Sequence, residues 1–398
     1  MGQVAEETAT DVVIVGGGLT GAAAAIAFAR SGIAATVVEA LAQPAADRWG
    51  VMLWPTGIRV LRSLGLRTDD GLGRRLDKLK WLIERNQQWI ETDLRKIASD
   101  AAFIGVSPSR LQQVVTAEAK RLGISFICPC EVFAVQRHAG RLGVTVRDPH
   151  GKTQAIRCRV VVVANGAVSE LRRQVGITAW TWRARGQRIA TGIGGAVPFA
   201  ESRQAFGTRW SAGCVPIDNE RTWLYAVLPE RLAGDARSAI ERYADLDSEA
   251  ASAINSLGSI HVIEPISVRV PRWANDGCVA LGDTAHGMFP YLGLGANASL
   301  EDVPVLADVV KNALVARSDR PVQLRELQRR RQARVRYLRR VSEEFSMCLT
   351  SRLPGVELIR DWNFRRLAKR PHILQNFLRE LAAGKVPRLS TRAAVLLP

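Results

Sequence analysis

At 398 residues the chain can bury a large core and divide into two substructures, and its 47% hydrophobic and 23% charged content is ordinary for a soluble globular enzyme. The longest uninterrupted apolar run, eight residues at 22–29, is far below the ~18 needed to cross a bilayer. The net charge of +17 is uneven: from Lys311 onward there are 21 Lys+Arg against 7 Asp+Glu, so the basic character belongs to a C-terminal segment.

In chain order, residues 1–10 read as a loose tail. Glu6, Glu7 and Asp11 precede the first apolar strand without a basic leader, so no secretory signal is expected. Val12-Val13-Ile14-Val15 is a β-branched run suited to a strand buried on both faces of a parallel sheet. Gly16, Gly18 and Gly21 follow as G-x-G-x-x-G, an alanine-rich helix covers 22–30, and a second strand over 35–39 ends at Glu39, 21 positions after Gly18. Each part has a role in holding a dinucleotide. The glycines allow a tight turn and the approach of a pyrophosphate to bare backbone, the helix N-terminus offers free N–H groups, and the carboxylate accepts ribose hydroxyls. At this point NAD and FAD remain equally open.

A loop or edge segment at 48–55 leads into a helix over 56–65, with Ile58, Leu61 and Leu64 on one stripe. Residues 70–97 read as polar-interrupted strands or loops, 109–122 as a helix stopped by Gly123, and 124–127 as a strand. Cys128-Pro129-Cys130 is read as two small hydrophobes near a strand end, with a metal or redox pair as the alternative; no metal site is expected. The six cysteines form no C-x-x-C, which favours reduced thiols and a cytoplasmic setting. Segments 132–135, 143–147 and 154–158 form a meander with turns at 138–140 and 148–151, and 160–163 is another buried parallel strand. From 177 to 272 the pattern is antiparallel, with strands over 203–210, 214–216 and 221–228 and a helix over 229–246.

Residues 278–281 return to the nucleotide-type sheet. Gly282-Asp283 closes that strand, and Pro290-Tyr291-Leu292-Gly293-Leu294-Gly295-Ala296-Asn297 precedes a helix beginning about Ser299 and covering 298–310. A carboxylate at the strand end suits a polyol hydroxyl, and the glycine turn offers N–H groups to a second polarised group. Two anchors for one long ligand select FAD over NAD. Beyond this, Leu324, Leu327, Val335, Leu338, Val341 and Phe345 recur at helical spacing. Arg329, Arg330, Arg331, Arg334, Arg336, Arg339 and Arg340 give that helix a basic opposite face.

On these motifs the chain resembles the class A flavoprotein monooxygenases, the p-hydroxybenzoate hydroxylase-like family, over residues 10–345. The stretch 12–21 with Glu39 is similar to its FAD fingerprint, 160–173 to its middle motif near FAD and NAD(P)H, and 282–297 to its Gly-Asp motif. The resemblance implies an α/β fold: an FAD-binding Rossmann-like (GR2-type) domain, an inserted mainly antiparallel substrate domain, and a C-terminal helical segment. It divides the chain into an FAD domain (1–70, 106–176, 273–345), a substrate domain (71–105, 177–272) and a basic helical extension (346–398). It implies FAD contacts at Gly16, Gly18, Leu19, Thr20, Glu39, Arg48, Arg110, Val132, Gly282, Asp283, Gly293, Leu294, Gly295, Ala296 and Asn297, with Pro290 and Gly295 at the reactive side of the ring.

In such an enzyme NADH or NADPH reduces FAD, O2 adds at the flavin C4a, and the hydroperoxide oxygenates an electron-rich substrate. Trp54, Phe206, Trp210, Trp223, Tyr225 and Phe289 are candidate walls for an aromatic or polycyclic molecule. His286 is read as structural. Asn165 stands where the family has Asp, and Leu294 where it has Gln, and both bear on NAD(P)H docking. The alternatives are an FAD reductase or oxidase without oxygen insertion, and a flavin-dependent halogenase, of whose W-x-W-x-I-P only Trp180 and Trp182 remain. The basic segment is read as a solvated face docked on the FAD domain or as weak peripheral contact with a membrane. No nucleic acid is expected, and the chain is taken as a monomer or homodimer.

Overall fold

The computed structural model describes residues 8–69, 71–138, 140–184, 186–315, 322–350 and 355–386. Most of the expected N-terminal tail, Asp70, Ala139 of an expected turn, Arg185, and parts of the C-terminal extension lie outside these. The end of the tail is not loose: Thr8 and Ala9 pair in parallel with Ile156 and Arg157, extending the meander to four strands.

The nucleotide sheet has six strands. Val12–Val15 lies at its centre between Ala35–Val38 and Val160–Val163, all in parallel register. Cys278–Ala280 adds beyond Val160–Val163 and Ser125–Ile127 beyond Ala35–Val38. The two central valine-rich strands are buried throughout, which is why they contain no polar alternation. Leu19–Arg30 crosses over this sheet with Ala22 to Phe28 wholly buried, and its closeness depends on Gly21. A side-chain carbon there would sit 1.9 Å from the Gly16 carbonyl oxygen.

The second sheet has seven strands. Lys78–Ile83 and Gln88–Asp93 form a hairpin that joins Glu201–Gly207 through a parallel pairing, and the remaining pairs are antiparallel. Its two faces follow strand parity. Ile189, Phe206, Val215 and Val227 share one apolar cluster with Met52, Trp54, Phe289 and Tyr291, while Ala190, Ala205, Ala212, Leu224 and Ala226 pack on the helix Ala236–Leu246. Trp210 belongs to the second set, with Arg242 over its ring at 4.8 Å and its Nε1 donating to Glu84. It therefore lies on the sheet face turned away from the nucleotide half, which corrects its reading as a substrate wall.

Leu294–Val315 begins five residues earlier than the sequence pattern suggests, directly after Gly293, so Gly295, Ala296 and Asn297 are in its first turn. The long helix Arg325–Thr350 runs without a break through the expected domain boundary at 345/346. Its apolar stripe, Leu327, Val335, Leu338, Val341 and Phe345, is buried as the docked reading requires. Its basic face is largely consumed. Arg331 Nε donates to Asp302 at 2.7 Å and its Nη2 to Glu301 at 2.9 Å, Arg334 reaches Glu301 at 3.3 Å, and Arg330 pairs with Asp308.

Asp302 is wholly buried. Burial alone would raise its pKa, but His286 and Arg331 outweigh that and hold its carboxyl below the usual range. An acid with a lowered folded pKa stabilises the fold above the ordinary carboxylate range and loses that contribution as pH falls through the lowered value. Replacing Asp302 with Asn should therefore destabilise the protein at neutral pH by ~3–5 kcal/mol in denaturant unfolding. The gap between variant and wild type should narrow as the pH drops below 4.

Candidate flavin and substrate site

Three loops meet at the carboxyl end of the nucleotide sheet. The first opens the Leu19–Arg30 helix: Gly18 is its N-cap, no side chain caps it, and the space in front of Gly18 is open. Uncapped N–H groups beside open space are what a pyrophosphate needs. Glu39 is half-buried, accepting from Gly17 N at 2.6 Å and Leu41 N at 2.8 Å. Each oxygen keeps a lone pair for a ribose hydroxyl. The Glu39 carbonyl accepts from Cys130 N at 2.8 Å, so the Cys-Pro-Cys stretch serves this turn, and Val132 follows half-buried at the start of Glu131–His138.

The second loop is Gly282-Asp283. A side chain at Gly282 would meet Thr20 and Ser299 at 3.0 Å, so the two glycine motifs converge on one point. Asp283 opens to solvent at the floor of the cleft, yet the protein crowded around it raises its pKa. Thr284 Oγ1 accepts from Gly166 N at 3.0 Å and lies 3.1 Å from Gly166 O, which ties the middle motif to the same point. Asn165 beside it is exposed. Next to Thr284, His286 sets its Nε2 2.5 Å from Asp302, and its Nδ1 has no partner. His286 is buried and spent on this contact, as a structural role requires.

The third loop is the turn into Leu294–Val315. Asn297 is buried and its amide is fully used: Oδ1 accepts from Trp54 N at 2.8 Å, and Nδ2 donates to Met52 O at 3.0 Å and Gly293 O at 2.8 Å. Trp54 Nε1 donates to Leu292 O at 2.9 Å. Asn297 and Trp54 thus act as a clip between segments 52–54 and 292–293, a role the motif did not disclose. Leu294 is buried too, its side chain in the apolar cluster with Trp54 and Tyr291. Pro290 is exposed at the cleft.

Segment 47–54 runs from this clip onto the seven-stranded sheet. Thr191 Oγ1 donates to the Arg48 carbonyl at 3.0 Å and accepts from Trp223 Nε1 at 2.7 Å, and Arg48's own side chain is exposed. Trp223 and Tyr225 lie half-exposed on the same sheet face with ring centres 4.8 Å apart. His261 pairs with Thr191 across the next strand on that face, and the sequence pattern did not single it out. Strand register, which the sequence alone does not disclose, is what finds it. Phe289 is nearly buried at the cleft edge. Trp54 packs edge-on against Phe103, and Phe206 lies fully buried among Trp81, Phe345 and Phe364, so these two support the wall from behind.

Arg110 sits in the first turn of Pro108–Arg121 but donates to Gly71 O at 3.1 Å; two residues on, Gln112 reaches the Gly17 carbonyl at 3.1 Å. Among the described residues no group of His, Cys, Asp and Glu could hold a metal ion. The donor set fits FAD: an open helix N-terminus, a carboxylate on the neighbouring strand, a second carboxylate at the converging loop, and a backbone-lined turn beside an aromatic wall.

The fold and site define a flavin-dependent oxidoreductase. The chain belongs to the family described as FAD binding domain, whose model matches residues 9–338. It is 27% identical over 358 residues to 3-amino-4-hydroxybenzoate 2-monooxygenase PtnB3 of Streptomyces platensis, covering 84% of this chain and 87% of that protein. The crystal structure of Klebsiella pneumoniae HpxO complexed with FAD and uric acid superposes with a TM-score of 0.79 at 21% identity, covering 94% of this chain and 97% of that one. The flavin-dependent brominase Bmp2 shares the fold, with a TM-score of 0.77 at 16% identity over 95% and 94% of the two chains.

Removing the Asn297 amide strands one N–H and two carbonyls. Asn297→Ala should cost ~2 kcal/mol or more in urea unfolding, and FAD retained through gel filtration should fall with it.

Proposed function

We propose that this chain is an NAD(P)H-consuming monooxygenase that hydroxylates, epoxidises or oxidatively rearranges an apolar aromatic or polycyclic small molecule in secondary or aromatic metabolism. The observation that carries the reading is the cleft itself. Segments 48–54 and 289–293 are clipped together by Asn297 and Trp54 over a sheet face that presents Trp223 and Tyr225. FAD, when bound, supplies hydride acceptance from NADH or NADPH and the activation of O2. The protein supplies position and exclusion of water.

On this reading Gly18, Leu19 and Thr20 receive the pyrophosphate at the helix N-terminus, Glu39 the ribose, and Asp283 the ribityl hydroxyls. The first turn of Leu294–Val315, through the N–H groups of Leu294 to Ala296, faces the ring. Arg48, Arg110 and Val132 flank it. Trp223 and Tyr225 form the wall against an aromatic substrate, with Phe289 at the rim. Burial pushes the Tyr225 phenol well up, so it meets the substrate as a neutral hydrogen-bond donor. The strands 78–93 belong with 177–272 as the substrate-side unit. The protein works in the cytoplasm as a monomer or homodimer, with at most weak contact to a membrane.

The test is to purify the protein and mix it with NADH or NADPH under air beside a panel of hydroxylated aromatics, quinolones and polycyclic phenols. Flavin absorbance, substrate-stimulated NAD(P)H oxidation and a product heavier by one oxygen are expected. Oxidation without oxygen insertion would make it a reductase or oxidase, and halide in the product would make it a halogenase. Trp223→Ala should lower kcat/KM at least about tenfold, a loss of ~1.4 kcal/mol, while FAD content stays unchanged. A proportional loss of flavin would instead assign Trp223 to the scaffold.

A further inference from the structure

The helix Val356–Lys369 divides sharply around its circumference. Arg360, Asp361, Asn363, Phe364 and Leu367 face inward. Phe364 stacks on Trp81 with ring centres 5.2 Å apart, and Arg360 neutralises Asp361 through bonds of 2.8 and 3.0 Å. The opposite arc carries Leu358, Ile359 and Trp362, which are 49%, 37% and 50% exposed. At 3.6 residues per turn, positions 358, 362, 365 and 369 form one row and 359 and 366 the row beside it. The arc therefore continues into Arg365, Arg366 and Lys369, with Arg366 over the Trp362 ring at 6.0 Å. No acidic residue falls on it.

Three large apolar side chains facing water, followed by three cations, restrict what can cover this arc. A second copy in two-fold contact would press the same cations against themselves, in a chain already at +17. A nucleic acid would match the cations and leave Leu358 and Ile359 uncovered. An anionic bilayer answers both halves: its headgroup boundary accepts Leu, Ile and Trp, and its phosphates accept Arg and Lys. The arginines of the preceding helix are poorer candidates, because Arg331 and Arg334 are already buried in ion pairs.

We propose that the Val356–Lys369 helix is a peripheral docking surface for anionic lipid membranes, with Leu358, Ile359 and Trp362 seated at the interface and the exposed Arg365 and Lys369 over the phosphates. Its inner side, through Phe364 and Leu367, belongs to the apolar cluster that borders the cleft. Docking would therefore bring the cleft close to a substrate dissolved in lipid.

The experiment uses the full-length protein and sedimenting vesicles of phosphatidylcholine, with and without phosphatidylglycerol, at low and high salt. The protein should sediment with the phosphatidylglycerol vesicles only, and less at high salt. Leu358→Ser with Trp362→Ser, and separately Arg365→Glu with Lys369→Glu, should each lower the bound fraction at least tenfold. Flavin absorbance and NAD(P)H oxidation in solution should not change. Failure to sediment with phosphatidylglycerol vesicles, or variants that bind as well as wild type, overturns the proposal. Concentration-dependent dimerisation abolished by Leu358→Ser with Trp362→Ser overturns it too, by giving the arc to a second copy. The readout needs no turnover, so it stands or falls separately from the catalytic reading.

Discussion

One buried carboxylate holds the halves of the site in register. Asp302 meets His286 on one oxygen and Arg331 on the other, and its side chain is closed off from solvent. His286 follows Asp283 by three residues, and Arg331 belongs to the long C-terminal helix. A shift of either partner would leave a charge unpaired in the interior, at a cost of several kcal/mol. The Gly-Asp loop, the helix that follows it and the C-terminal helix are therefore fixed relative to one another. That fixity lets the turn into Leu294–Val315 present its backbone groups in one place.

The cleft is built on similar economy. Asn297 spends all of its hydrogen-bonding capacity on backbone, and Trp54 gives its only polar atom to Leu292. Two irregular segments thereby acquire the stiffness of a sheet without forming one, and the turn into Leu294–Val315 inherits it. The sheet face opposite differs in character. Thr191 chains the Arg48 carbonyl to Trp223, and beyond it the side chains of Tyr225 and His261 make no further hydrogen bond among the described residues. Rigid at the nucleotide-side turn and lightly committed on the facing sheet, the site separates a fixed cofactor frame from an adjustable wall.

Much of this is legible in the sequence because the dinucleotide motifs are local. Gly16, Gly18, Gly21 and Glu39 are set by spacing within one strand-helix-strand unit and Asp283 by its place at the end of another strand, and spacing is what a sequence records. Features that depend on a distant partner are not. The arginines of Arg325–Thr350 read as a solvent face because Glu301, Asp302 and Asp308, which absorb them, lie on another helix. Trp210 reads as a wall residue because strand parity cannot be assigned until register is known, and a one-residue difference reverses the face. Asn297 reads as a ligand because its motif says where it is but not what its amide is bonded to. The early start of Leu294–Val315 was hidden by its glycine, which usually marks a turn and here sits in a helix's first turn.

The parallel pairing of Lys78–Ile83 with Glu201–Gly207 also bears on biogenesis. The partners are roughly 120 residues apart, with two strands of the nucleotide sheet encoded between them. During synthesis the 78–93 hairpin emerges well before the strand that completes it. For that interval it presents a bare edge with Trp81, Leu82 and Ile83, the kind of edge that recruits other chains. The charged residues placed along it are present from the moment it emerges: in the finished protein Lys78 and Lys80 pair across the strands with Glu91, and Asp93 pairs with Arg95 just beyond the hairpin. The seven-stranded sheet thus carries its own protection against premature association through the period when its remaining strands do not yet exist.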